Sequence, residues 1–329
     1  MTPAGPAGRA GPEPGPIAVT VVGGYLGAGK TTLVNRVLAG ADERIAVLVN
    51  DFGEVVVDDS LIVARDGATM TLANGCICCS LVDGFAAALD RVRRAEPRPD
   101  RLLVETSGVS DPATVAAYAT VPGFVLDGVL VMVDVETVRR HATDRYVGDM
   151  VLRQLRSADL LVVNKADLVP ADQRAGVQTW LAGQAPGVHQ VAGVAWRLPL
   201  SMVLGPPGLT APTGRGPGPA DHDHHDEHGA GEHGFRSWTR RWEHPLDRRR
   251  LETALSELPG DVHRVKGPVR LRPGPGDEPG RWVLVQAVGA RWGLSPFTPG
   301  GRPDGPGTLV VVGTTGADGD AWLDRLGDA

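Results

Sequence analysis

Cysteine and lysine are both scarce in this chain of 329 residues. The only thiols are Cys76, Cys78 and Cys79, all inside the tract NGCICCSL at residues 74–81. No disulfide can therefore staple distant parts of the fold. A bridge within C-x-C-C would be strained, because relaxed bridges hold their α-carbons about 5.5–6 Å apart. The tract reads as thiolate chemistry in a reducing compartment, either metal binding or redox. Of 33 basic residues, only Lys30, Lys165 and Lys266 are lysine. Lysine is a compact point charge on a flexible stem and arginine a broad planar fork, so each lysine kept here marks a place where guanidinium does not fit. Lys266, in RVKGPV, has no role that the sequence supplies. Long apolar runs are missing too: none approaches the about 18 residues of a membrane-spanning helix. Residues 1–16 are too rich in Gly and Pro for the apolar centre of a signal peptide. The net charge of −6 offers no basic footprint for nucleic acid. The arginines at 91–101 and 236–250 read as solvated helix and strand faces. The expectation is a soluble, cytoplasmic protein without nucleic-acid or membrane partners, long enough for two domains.

What is present alternates. From Ile17 to about Val194 the short apolar runs IAVTVVG, IAVLVND, RLLVET, GVLVMVD, DLLVVNK and VHQVAGV are separated by amphipathic stretches such as TTLVNRVLAG and LVDGFAAALDRVRR. Continuous β-rich runs between helices predict an α/β fold, a mostly parallel sheet with helices on both faces. Ligands of such sheets sit beyond the carboxyl ends of the strands. Residues 205–234, rich in Gly, Pro and His, cannot bury a core and read as a linker. The expected units are a tail at 1–16, a nucleotide-binding domain at 17–204, the linker, and a smaller α+β domain at 235–329 with the order β-α-β-β-β-α.

The stretch GGYLGAGKTT places G-x-x-x-x-G-K-T from Gly24 to Thr31, after the first strand and at the start of the first helix. In a P-loop of this form, backbone N–H groups of Gly24, Gly27, Ala28, Gly29 and Thr32 curl round a phosphate chain. Lys30 reaches the terminal phosphates, and the Thr31 hydroxyl can hold Mg²⁺. Asn164-Lys165-Ala166-Asp167 is N-K-x-D at a strand end. Its Asp167 carboxylate can accept N1–H and N2–H₂ of guanine, which adenine cannot reproduce, so the nucleotide is read as GTP. Asn164 would order the loop, and the Lys165 stem would lie on the base. RLLVETSG delivers Glu105, which would hold Mg²⁺ through water or orient the attacking water, and Gly108, whose N–H would meet the γ-phosphate. Asp134 is a competing acid, read more simply as a helix N-cap. NDFGEVVVDD at 50–59 lies where a switch loop would follow, with Asp51 and Glu54 as candidate sensors.

GGYLGAGKTT, NDFGEVVVD, NGCICCSL, ETSGVSDP and QLRSADLLVVNKADLV, in that order, resemble the CobW-like GTPases, a family of P-loop metallochaperones with a C-x-C-C motif. The resemblance implies a GTPase that binds a transition metal at Cys76, Cys78 and Cys79 and delivers it to a client metalloprotein, with Mg-GTP gating the affinity. Thiolates favour Zn²⁺ and Co²⁺ over Mg²⁺. Adjacent Cys78 and Cys79 tend to point opposite ways, so either two or all three thiolates bind. Gly75 frees the backbone to turn, and a helix starting near Ser80 would favour thiolates at its N-terminus. Three buried apolar thiols, or thiol redox, are the other readings. DHDHHDEHGAGEH adds His222, His224, His225, His228 and His233, either a weak, fast-exchanging site for the same ions or a merely solvated linker. The rival functions are a regulatory GTPase with a structural zinc knot and a metal store centred on the histidines. Oligomeric state, client and fourth ligand stay open.

Overall fold

A computed structural model describes residues 15–41, 43–50, 61–65, 68–72, 81–193, 198–204, 235–273, 281–297, 305–314 and 316–327. The three cysteines, Asp51 and Glu54, and the histidine tract lie outside the described residues.

The first domain runs β1 (Ile17–Gly23), α1 (Lys30–Gly40), β2 (Ile45–Asn50), β3 (Leu61–Arg65), β4 (Ala68–Leu72), α2 (Leu81–Arg94), β5 (Arg101–Thr106), α3 (Pro112–Tyr118) and β6 (Phe124–Asp134). It continues through α4 (Val138–Ala142), α5 (Gly148–Arg156), β7 (Leu160–Asn164), α6 (Ala171–Gln184), β8 (His189–Ala192) and α7 (Leu200–Leu204). The sheet order is β4-β3-β2-β5-β1-β6-β7-β8. Strands β2, β5, β1, β6, β7 and β8 pair in parallel, as the six apolar runs predict. Every residue of β1, β5 and β7 is buried, the mark of strands covered on both faces. Alternate residues feed two cores. Val19, Val21, Leu102 and Val104 pack with α2, α3, α5 and α6. Val22, Leu103, Leu130 and Val162 pack with α1 and α7.

The antiparallel β3–β4 hairpin beyond β2 is not anticipated by that pattern. The five-residue helices α4 and α7 also escape it, being too short to display a helical period.

The second domain contains β9 (Phe235–Trp242), α8 (Arg248–Ser256), β10 (Val262–Arg270), β11 (Trp282–Val288), β12 (Arg291–Pro296), β13 (Gly307–Thr314) and α9 (Gly319–Asp324). Its sheet has the order β12-β11-β10-β13-β9, with all neighbours antiparallel. One strand exceeds the expected order: β12, the edge strand RWGLSP, where Gly and Pro dilute the β signal.

The α1–α7 face of the first domain has few helices, and the second domain completes it. Val288 and Val312 join that core. The tip of β11 reaches in close: a Cβ on Gly128 of β6 would stand 3.1 Å from Val288, and one on Gly289 (φ +56°) 1.9 Å from the Asp159 carbonyl. At this junction the Asp127 carboxylate is surrounded by cations. Lys266 Nζ lies 3.2 Å from Oδ1, Arg101 Nη1 3.3 Å from Oδ2, and Arg264 pairs with Oδ2. Gln286 Nε2 donates to Oδ1 at 2.9 Å, and Arg101 also pairs with Glu43.

Arg101 therefore departs from the solvated-face expectation. It is 1% exposed, because it begins a fully buried strand and finds two carboxylates there. Burial alone would push the Asp127 carboxyl up, yet Arg264, Lys266 and Arg101 together hold it far below the usual carboxylate range. Burial, reinforced by repulsion from Arg101, pushes Lys266 down to about 7 against the pull of Asp127.

Candidate functional site

The phosphate loop begins where β1 ends. Gly24, Gly27 and Gly29 take φ of +129°, +74° and +99°, a left-handed run that side chains other than glycine adopt only with strain. Space confirms the need at two of them: a Cβ on Gly24 would lie 2.3 Å from the Met132 carbonyl, and one on Gly29 2.3 Å from Asn164 Nδ2. A Cβ on Gly27 would meet nothing within 4 Å, so at that position only the backbone conformation calls for glycine. Gly29 is the N-cap of α1, with no side-chain cap bond. The first-turn N–H groups of that helix belong to Lys30, Thr31 and Thr32, and such donors attract phosphate. Lys30 is only 8% exposed, and its Nζ donates to the carbonyls of Gly24 (2.9 Å) and Tyr25 (3.3 Å), which holds the amine inside its own loop.

Two other strands of the sheet, β5 and β7, bring the other groups. β5 pairs with β1 in the register Val22↔Glu105, so Glu105 emerges beside the loop. The Thr31 hydroxyl donates to Glu105 Oε1 at 2.6 Å. The other carboxylate oxygen, Oε2, is buried without a hydrogen-bond partner. A buried carboxylate oxygen with no donor is costly, and next to the Thr31 hydroxyl it suits a hard cation such as Mg²⁺. Gly108 lies against the loop as well, since a Cβ there would come within 2.7 Å of the Leu26 backbone nitrogen.

From β7, Asn164 Nδ2 donates to the Ala28 carbonyl at 2.8 Å and so ties N-K-x-D to the phosphate loop. Lys165 has φ +59°, and its Nζ sits 2.6 Å from Asp134 Oδ2. Asp167 is exposed two residues further on. Asp134 does not cap a helix: its Oδ1 accepts the Glu136 N–H at 2.9 Å, while α4 begins after Thr137. The acid instead closes a turn and anchors Lys165, because the parallel register sets Asp134 opposite Asn164.

Two contacts escape the motif reading. Tyr25 of the loop lies against His141, ring centroids 4.5 Å apart. Gln154 of α5, 1% exposed, donates from Nε2 to the carbonyls of Gly108 (3.1 Å) and Ser110 (2.7 Å). The available signal for the second is a polar residue on the apolar stripe of α5, whose neighbours Val151 and Leu155 are buried.

The fold and this loop define a P-loop nucleotide-binding protein, with Glu105 and N-K-x-D on strand ends of the same parallel sheet. The description CobW/HypB/UreG, nucleotide-binding domain, matches residues 18–191, and the Cobalamin synthesis protein cobW C-terminal domain matches residues 235–329. The chain belongs to this CobW family. Among curated relatives it is 35% identical over 200 residues to zinc chaperone YjiA of Escherichia coli (57% of this chain, 58% of that protein). It is 34% identical over 187 residues to zinc chaperone CobW of a Sinorhizobium species (48% and 53%). Over 179 residues it is 32% identical to zinc-regulated GTPase metalloprotein activator 1 of Saccharomyces cerevisiae (46% and 42%). The chain thus spans about half the length of the curated relatives it matches. The crystal structure of Zn(II)-bound YjiA GTPase from E. coli aligns over 95% of this chain and 99% of that one, at 23% identity and a TM-score of 0.44. Among the described residues, no cluster of three or more His, Cys, Asp or Glu is arranged to hold a metal, and no helix is long and apolar enough to cross a membrane.

Proposed function

We propose that this chain is a GTP-hydrolysing metallochaperone. It takes up a transition metal, zinc or cobalt, at Cys76, Cys78 and Cys79 and delivers it to a client metalloprotein in the cytoplasm. One observation carries the nucleotide half: the phosphate loop after β1, Glu105 on β5 and N-K-x-D after β7 lie at the carboxyl ends of one parallel sheet and are joined by the Thr31–Glu105 and Asn164–Ala28 hydrogen bonds. The metal half is supported by the thiol clustering and by the zinc chaperones among its relatives.

In this reading the loop amides and Lys30 bind the triphosphate, exchanging the Gly24 and Tyr25 carbonyls for phosphate oxygens. Thr31 and Glu105 hold Mg²⁺, which neutralises charge on the phosphates. Asn164, Lys165 and Asp167 hold guanine. Glu105 would act either by holding Mg²⁺ through water or by orienting the attacking water, and the Gly108 N–H would meet the terminal phosphate. Residues 17–204 act as the nucleotide unit and 205–234 as a linker whose histidines capture metal weakly. Residues 235–329 form the second unit.

The test is turnover of GTP against ATP by the parent and by Lys30→Ala, with zinc binding by the parent and by a Cys76, Cys78, Cys79→Ser triple variant. The proposal expects guanine-selective turnover that Lys30→Ala abolishes, and a high-affinity zinc site that the triple variant loses. A zinc ion that never exchanges and whose removal unfolds the cysteine loop would replace it with a regulatory GTPase bearing a structural knot. Loss of most metal on deleting 221–233 would replace it with a store.

A further inference from the structure

We infer that Gln154 is a positioning residue for the terminal phosphate, acting through the loop Ser107–Ser110; the inference rests on the nucleotide reading above. A primary amide carries two N–H donors. Both bonds from Gln154 Nε2 end on carbonyls of this one loop, at 3.1 Å on Gly108 and 2.7 Å on Ser110. Among the described residues, the loop's own turn bond runs from the Ser110 N–H to the Ser107 carbonyl at 3.1 Å. Its conformation is therefore set largely from α5, forty-odd residues downstream.

The consequence follows from peptide geometry. In a trans peptide the C=O and the following N–H point in opposite directions. Anchoring the Gly108 carbonyl towards α5 turns the Val109 N–H away from the helix, and Val109 is 47% exposed. The other flank of the loop is closed by the phosphate loop, where Gly108 packs on Leu26. With the Gly108 carbonyl held by Gln154 and the Ser107 carbonyl by the Ser110 N–H, the Val109 and Gly108 N–H groups at the other ends of those two peptides stay aimed rather than being reorganised when phosphate arrives. Preorganised donors are the ones that discriminate a charged terminal group. Gln154 itself touches no substrate atom. Its own backbone is steadied by the Ser157 hydroxyl, which donates to the Gln154 carbonyl at 2.9 Å.

Gln154→Glu keeps the shape and, ionised at pH 8, has no donor to offer. Gln154→Leu keeps the volume and leaves two carbonyls unsatisfied. Ser157→Ala disturbs the same helical turn without touching the loop, and serves as the structural control. Three readouts are needed on the full chain. The first is amide hydrogen exchange across 107–111 without nucleotide, expected to quicken at least tenfold in both Gln154 variants while the 24–32 and 160–164 segments hold. The second is the ratio of GTPγS to GDP affinity, expected to fall about tenfold with GDP affinity unchanged. The third is GTP turnover, where displacement of an aimed group costs on the order of 10- to 100-fold in kcat.

Unchanged exchange at 107–111 in both variants would overturn the inference, as would equal loss of GTPγS and GDP affinity matched by Ser157→Ala. The exchange readout needs no nucleotide, so a parent that fails to bind or turn over GTP would count against the proposed function while leaving the clamp by Gln154 judged on its own result.

Discussion

Replacing Asp127 by Asn keeps the shape of the side chain and removes the negative charge at the centre of the domain junction. Around it stand Arg101, Arg264 and Lys266, each 1% exposed, with Glu43 as the second carboxylate of the group. With Lys266 held near 7, the native cluster at pH 7 has two guanidinium cations and a half-protonated amine against two anions, and the variant would have them against one. Removing one partner of a buried ion pair costs about 3–5 kcal/mol, because the remaining charge is left without compensation. Whole domains are stable by about 5–15 kcal/mol, so the loss is a large share of the total. The expected result is a urea midpoint well below that of the parent, with the second-domain tryptophans Trp238 and Trp322, both buried, reporting early. Adding Lys266→Met to Asp127→Asn should recover part of the loss by removing one surplus cation. Asp127→Asn within about 0.5 kcal/mol of the parent at pH 7, a surface-like effect, would refute the argument.

Lys266 also makes the junction respond to pH. With its folded value near 7 and its ordinary value at 10.5, the unfolded chain holds a proton through that window which the folded chain has released. Stability should rise with pH from about 7 to 10.5 in the parent and rise less in Lys266→Met, as measured by urea unfolding across that range. His263, pushed by burial and by His189 to about 4 from 6.5, acts on the acid side. The unfolded chain there binds a proton that the folded chain refuses, so stability should fall as pH drops from about 6.5 to 4, and His263→Phe should flatten that fall. An identical acid slope in the variant would remove His263 from the explanation. For Asp167→Asn, the donor N–H₂ replaces an acceptor opposite guanine N2, so GTP affinity should fall at least tenfold while xanthosine triphosphate gains. Competition with both nucleotides would check this.

The parallel sheet was readable because strands buried on both faces are near-continuous apolar runs, as IAVTVVG and LLVVN are but for Thr20 and the terminal Asn164. The phosphate loop and N-K-x-D were readable because their working atoms are contiguous in the chain. The hairpin β3–β4 carried a usable signal in Asp66-Gly67, a dipeptide suited to tight two-residue turns, between two short strands. Strand β6 starts at Phe124 rather than Gly128, and Asp127 conceals this by interrupting the apolar run. That acid is tolerable because Arg264 and Lys266, 137 and 139 residues away, come back to meet it. No local pattern encodes such a partner, which is why Lys266 had no role and Arg101 looked solvated. Gln154 escaped for the same reason, since Gly108 is 46 residues distant.

In the proposed function, the terminal phosphate of GTP would govern metal affinity, as the family resemblance implies. Coupling is reciprocal, so whatever GTP adds to metal binding, metal adds to GTP binding. The most direct measurement is a zinc titration of the full chain with Mg-GDP and with Mg-GTPγS, using a competing chelator. The account predicts a tenfold or greater difference in zinc affinity between the two nucleotides, abolished in the Cys76, Cys78, Cys79→Ser variant. Equal affinity in both nucleotide states would contradict it.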